Sequence, residues 1–250
     1  MSAGVDRPII GCGIDQSGFT FAFQPIIDTQ TRKVHAHEAL IRGINNESAY
    51  AVLGRYTTEQ MPAFDAACRA RAIEVAARIG LTSDLNLNFL PRAALDPFAG
   101  LDSTLQAAER WGFSVERIII EATEGEAFGD PTTFASVVGE YRRAGMRLAI
   151  DDFGAGYAGL TLLADFQPDI VKLDMALVRG VDSNGPRQAI LRGIAQVCLD
   201  LGIDVIVEGV ETVEEFAWFD EHGFNLFQGY LFARPAFEAE PAYQIPALAR

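Results

Sequence analysis

Eight short apolar segments alternate with helix-length stretches along the 250 residues, and that alternation limits the folds open to the chain. The segments read as strands at Phe19–Ile27, Val34–Ile41, Leu85–Phe89, Arg117–Ala122, Arg147–Asp151, Asp169–Leu173, Asp204–Val207 and Leu226–Gln228. Asp28–Lys33, between the first two, is too short for a crossover helix, so these strands form an antiparallel hairpin. The later strands are separated by helical segments, which gives parallel βαβ units. The chain is therefore expected to be α/β, a (β/α)8 TIM-type barrel whose first strand runs backwards. An open doubly wound sheet is the alternative, but no glycine-rich dinucleotide fingerprint follows an early strand.

Two of the intervening helices carry their own punctuation. Pro62–Ile79 has proline in its first turn, stops at Gly80, and puts Phe64, Cys68, Val75 and Ile79 on one face. Pro186–Leu201 repeats the arrangement, with Ile190, Ile194, Val197 and Cys198 on its apolar face and Gly202 beyond. Both cysteines are read as core. Asp130-Pro131 opens another helix, and Thr212 caps one running through Phe219. There is no repeat or long linker, so residues 19–240 are expected to form the barrel, with a leader at 1–18 and a tail at 241–250.

Thirty-four acidic residues against 20 basic ones give a net charge of −14, which disfavours duplex nucleic acid as a partner. No apolar run is long enough to span a bilayer, no signal peptide opens the chain, and the three cysteines are scattered. A cytoplasmic setting is the expectation. Only Lys33 and Lys172 are lysines in a chain that otherwise uses arginine.

Residues two apart on a strand share a face. On that rule Glu38 follows Ala36, Asn88 follows Asn86, Glu121 follows Ile119, Asp151 follows Ala149, Lys172 follows Ile170, Glu208 follows Ile206 and Gln228 follows Leu226. Polar groups thus converge at the carboxyl ends of the strands, where barrels of this type carry their active sites. Most are oxygen donors, and several carboxylates in one pocket repel one another unless cations lie between them. Mg²⁺ or Mn²⁺ suits such a set, and adjacent Asp151 and Asp152 favour two ions and phosphate-ester chemistry. Lys172 is a compact charge able to orient or deprotonate a water, unless it merely pairs with Asp174. His35 and His37 share the face opposite Glu38 and are read as packing under helices, not as zinc ligands. Asp152-Phe153-Gly154 is not a kinase motif, because no glycine-rich ATP loop precedes it.

The motifs Glu38-Ala39-Leu40 with Arg42, Asn88 in LNLNFLP, Glu121-Ala122-Thr123-Glu124, Asp151–Tyr157, Lys172-Leu173-Asp174, Glu208–Glu211 and Gln228-Gly229-Tyr230 occur in this order from Phe23 to Pro235. In this set the chain resembles the EAL domains, bacterial phosphodiesterases of the second messenger cyclic di-GMP. The resemblance implies metal ligands at Glu38, Asn88, Glu121, Asp151 and Asp152, with Asp151 bridging two Mg²⁺ or Mn²⁺ ions. It implies that Lys172 and Glu208 hold or activate the attacking water. Gln24, Leu40, Arg42, Asp174, Glu211 and Gln228 are then substrate contacts, and Thr123 and Glu124 support the loop at Asp151. The product would be linear pGpG, Ca²⁺ would inhibit, and a homodimer is one available state. A non-catalytic cyclic di-GMP receptor is the alternative. Ala155, Ala158, Gly159, Met175 and Val207 depart from the usual pattern without removing a ligand.

Overall fold

The hairpin forms as expected. In the computed structural model, which describes residues 14–90, 97–124, 131–155 and 159–248, β1 (Phe19–Asp28) runs antiparallel to β2 (Lys33–Gly43), with Gln24 opposite Glu38. Six parallel strands follow from the other edge of β2: β3 (Asp84–Asn88), β4 (Ile118–Thr123), β5 (Arg147–Phe153), β6 (Ile170–Leu173), β7 (Asp204–Val207) and β8 (Leu226–Phe227). β8 pairs antiparallel with the end of β1 and closes the barrel. One strand was not expected. β9 (Ala236–Phe237) pairs with β1 through Ala22 and Phe23, and two residues are too few to show alternation.

The connecting helices are α1 (Ala49–Leu53), α2 (Met61–Arg78), α3 (Pro97–Trp111), α4 (Pro131–Arg143), α5 (Gly159–Phe166), α6 (Met175–Val178), α7 (Gly185–Leu201) and α8 (Val213–Glu221). Proline opens α2 and α7, and Gly202 ends α7 in the left-handed conformation that side chains resist. Thr212 and Glu215 form a reciprocal capping box on α8. The buried stripe of α7 is Leu191, Ile194 and Cys198, while Ile190, expected on that face, is 52% exposed. One residue is about 100° around a helix, so the stripe excludes Ile190 once Leu191 turns inward. Cys198 is fully buried, and burial pushes its thiol up to about 11; Cys68 is only half-buried. Cys12, Asp130 and residues 156–158 lie outside the described residues.

The core has two parts. The larger lies between the strands and the helices. The smaller fills the barrel with one layer: Ile26, Ala36, Ile119, Ala149, Ile170, Ile206 and Leu226. Two residues further toward the carboxyl mouth, each of these strands places a polar side chain: Gln24, Glu38, Glu121, Asp151, Lys172, Glu208 and Gln228. The apolar layer is the floor on which the polar one stands.

A buried ion pair braces one wall. Arg69 and Asp65 of α2 pair out of solvent, and Arg69 Nε donates to Thr104 Oγ1 of α3 at 3.2 Å. Asp65 Oδ1 accepts the Leu90 N–H at 3.2 Å, which ties the turn after Asn88 to both helices. Removing one partner strands the other charge in the core. Arg69→Met is therefore expected to lower unfolding free energy by roughly 3–5 kcal/mol in urea titration. A loss within the noise of the titration would mean that Asp65 finds solvent or another partner.

Candidate functional site

Lys172, fully buried, stands at the centre of the polar layer. Its Nζ lies 2.7 Å from Glu208, 2.9 Å from Glu121, 3.1 Å from Asp151 and 3.5 Å from Glu38. Among the described residues no other Lys or Arg pairs with these four carboxylates. The pairing of Lys172 with Asp174, weighed from sequence, does not occur: Asp174 turns away and caps α6, accepting the Ala176 N–H at 2.8 Å.

The electrostatics follow from burial and crowding. Burial alone would favour neutral lysine, but the surrounding carboxylates outweigh it and hold Lys172 protonated, its pKa well above the ordinary value. Burial pushes Glu121 up to about 8; Glu38 and Asp151 push the same way and Lys172 opposes. Glu208 is likewise raised by burial, and Asp152 is raised by burial and by its neighbour Asp151. One ammonium is thus shared by more carboxyl groups than it can neutralise.

Asp151 and Asp152 both reach the mouth although adjacent residues on a strand point opposite ways. The β5–β6 ladder skips between Ile150 and Phe153, and Asp152 takes a positive φ of 54°. This bulge turns the second carboxylate to the side of the first. Phe153 is buried and anchors the turn, and Glu124 Oε2 accepts the Gly154 N–H at 3.1 Å. At Gly154, with φ of 94°, any Cβ would collide with Leu177 of α6. Thr123, half-buried, ends β4 in register with Asp151.

A divalent ion fits this donor set. One oxygen each from Asp151, Asp152 and Glu208 lie within 4.8 Å of one another. Glu121 Oε2 and Asn86 Oδ1 are buried acceptors without a hydrogen-bond partner. All are hard oxygen donors with surplus negative charge, which suits Mg²⁺ or Mn²⁺. Asn86 was passed over as a site residue. It donates to Glu121 at 2.5 Å from the level of Glu38, and its period-two spacing from Asn88 was the available signal. Asn88 itself is exposed at the end of β3. His37 is buried with Nδ1 2.7 Å from Ser83 Oγ, and His35 falls at a bulge in β2. Neither joins the carboxylates.

Two cavities flank Glu38. One, of about 250 Å³, is lined by Gln24, Asp152, Asp174, Glu208, Glu211 and Gln228 together with Met175 and Tyr230. The other, of about 330 Å³, is mostly apolar and passes Leu40, Arg42 and Asn88 toward Phe64 and Cys68. Gln228 Nε2 donates to Glu38 Oε2 at 2.7 Å, and Gln24 Nε2 donates to the Ala233 carbonyl at 3.2 Å. Glu211 pairs with Arg179, a partner that sequence did not suggest. Among the described residues no helix is long and apolar enough to cross a membrane.

Comparison with known proteins identifies the family and the fold. The chain is 32% identical over 245 residues to the blue light- and temperature-regulated antirepressor BluF of Escherichia coli, covering 97% of this chain and 61% of that protein. It is 27% identical over 227 residues to the cyclic di-GMP phosphodiesterase PA2567 of Pseudomonas aeruginosa, covering 88% of this chain and 39% of that protein. The chain thus spans less than two thirds of either curated relative. A standalone versatile EAL protein of Vibrio cholerae, solved with c-di-GMP bound, superposes with a TM-score of 0.86 at 46% identity, covering 90% of this chain and 95% of that one. A manganese and cyclic di-GMP complex of Klebsiella pneumoniae BlrP1 gives a TM-score of 0.84 at 39% identity, with 90% and 57% covered. The EAL domain model matches residues 12–235, nearly the whole chain, and this chain belongs to the EAL domain family.

Proposed function

We propose that the protein is a divalent-metal-dependent phosphodiesterase that opens cyclic di-GMP to linear pGpG. The observation that carries this reading is the convergence of Glu38, Glu121, Asp151 and Glu208 on Lys172 at the barrel mouth. Glu38, Asn88, Glu121, Asp151 and Asp152 are the residues that would hold two Mg²⁺ or Mn²⁺ ions. When bound, such ions supply positive charge to the phosphoryl oxygens and make water easier to deprotonate.

The chain's own groups divide the remaining work. Lys172, held protonated, donates a hydrogen bond to the attacking water and does not act as its base. Glu208, 2.7 Å from Nζ, accepts from the same water. Water adds at phosphorus as the bond to the ribose 3′-oxygen breaks, and that oxygen leaves as the hydroxyl end of the linear product. The cavities on either side of Glu38 give each nucleotide half of the ring its own seat. Leu40 and Arg42 serve one half, with Arg42 on a phosphate; Gln24, Asp174, Glu211 and Gln228 serve the other.

The relative named as an antirepressor supports a second reading, a module that binds cyclic di-GMP and regulates without cleaving it. One experiment separates them. Incubated with cyclic di-GMP and Mg²⁺ or Mn²⁺, the protein is expected to yield pGpG on chromatography, and EDTA to abolish it. Ca²⁺ in place of Mg²⁺ is expected to bind without turnover, because its looser coordination misplaces the water. Binding without product under any metal would leave the second reading; undiminished cleavage in excess EDTA would remove the metal from the mechanism.

A further inference from the structure

Glu215 is a carboxylate that the proposed hydrolysis does not use, yet it is 3% exposed. Its place in the capping box explains one of its oxygens: Oε2 accepts the Thr212 N–H at 3.3 Å and the Glu211 N–H at 3.1 Å. It does not explain the other. Oε1 accepts the N–H of Gly180 at 3.0 Å, and Gly180 belongs to the turn beyond α6, not to α8. The two oxygens of one buried side chain therefore accept backbone N–H groups from different loops, and Arg179, adjacent to Gly180, also lies 4.0 Å from Oε2.

Those two loops carry much of the candidate chemistry. The first leaves β6, which carries Lys172, and runs from Asp174 through α6 to Gly180. The second runs from Glu208 to Glu211. They also abut directly: a Cβ on Gly209 would lie 2.8 Å from Met175 Cβ, and Gly209 has a positive φ of 64°. On its far side the second loop is pinned just beyond β8, where Val210 N–H donates to the Gln228 carbonyl at 3.2 Å. Arg179, next to Gly180, pairs with Glu211 and so joins the same two loops at the surface.

We infer that Glu215 is a positioning residue, whose carboxylate locks the Glu208–Glu211 loop to the α6 loop and so sets where Glu208 stands relative to Lys172. The inference rests on the proposed hydrolysis for its kinetic consequence, but not for the lock itself. Three amide protons would lose a charged acceptor if it were removed, and charge-assisted hydrogen bonds to backbone are the stronger kind. A displaced loop would shift Glu208 out of line with Lys172, and a shift of about 1 Å at a reacting group costs on the order of 100-fold in rate.

The test compares wild type with Glu215→Gln and Glu215→Ala. Gln keeps one acceptor oxygen and nearly the same volume, so it retains the helix cap that Ala removes. Hydrogen exchange is read by mass spectrometry over residues 175–182 and 208–212, and kcat and KM are measured for cyclic di-GMP with Mn²⁺. The lock predicts faster exchange in both segments together, with the rest of the barrel unchanged. It predicts a kcat lower by roughly 10- to 100-fold in Glu215→Ala, an intermediate value in Glu215→Gln, and KM within about threefold. A purely structural role would lower the folded fraction and leave kcat per folded molecule unchanged. Exchange that rises in only one segment, or loops that loosen while kcat per folded molecule holds, overturns the inference. If wild type itself does not cleave, the proposed hydrolysis fails, and the exchange data alone decide the lock: unchanged protection of both segments in Glu215→Ala overturns it.

Discussion

Replacing Lys172 with alanine is expected to lower kcat for cyclic di-GMP by roughly 100- to 1,000-fold, the scale on which one preorganised donor contributes to a charged transition state. The structure adds a second consequence. Nζ is within 3.5 Å of four carboxylates, so its loss leaves them facing one another in a buried layer. The metal-free protein should melt at a lower temperature, and Mn²⁺ should raise the melting temperature more in the variant than in wild type. Lys172→Arg should fail as well, because a planar guanidinium cannot occupy the point on which the carboxylates converge. Lys33→Ala is the control. Lys33 is exposed at the first position of β2, next to the hairpin turn, and its removal should leave rate and stability near wild type. Steady-state kinetics with thermal melts, with and without Mn²⁺, checks all of this. Full activity in Lys172→Arg, or equal losses at the two lysines, would take Lys172 out of the mechanism.

The polar layer was legible in the sequence because the rule that builds it is local. Ile119 and Glu121, Ala149 and Asp151, or Ile170 and Lys172 are two residues apart, and a strand's pleat turns that spacing into one face whatever the rest of the chain does. Closure of the barrel follows from the same alternation together with the short Asp28–Lys33 connection. What stayed hidden depends on register between strands or on contacts between loops. The bulge that aims Asp152 exists only because β5 and β6 slip past each other between Ile150 and Phe153. The Thr212 cap can be read from Thr-x-x-Glu, but the bond from Glu215 to Gly180 crosses between two loops and leaves no pattern. Sequence reasoning also required cations among the carboxylates. It placed Lys172 on the inward face but left its pairing with Asp174 open, and Asp174 instead leaves to cap a helix.

The opposite change should separate stability from activity. Glu38→Gln removes one negative charge from the layer but keeps the shape and an acceptor oxygen for Gln228 Nε2, now 2.7 Å from Glu38 Oε2. The charge removed lies on the crowded side of the balance, since Glu38 is one of the groups that raise Glu121. Without metal the variant should therefore be as stable as wild type or more so, by about 1 kcal/mol, as when a strained functional group is relieved. Activity should fall by roughly two orders of magnitude or more, because a carboxylate proposed to hold the metal has become a neutral amide. The Mn²⁺-induced rise in melting temperature should shrink, whereas in Lys172→Ala it should grow. Substitutions at two neighbours 3.5 Å apart would then move stability in opposite directions while both lower turnover sharply. That pattern is expected of a layer tuned to receive cations, not of a packed core, where either substitution would destabilise. Calorimetric melts of the two variants, with and without Mn²⁺, read it directly. A Glu38→Gln protein that melts well below wild type without metal, or that still cleaves at the wild-type rate, would show that Glu38 is a structural partner of Lys172 and Gln228 and not a ligand.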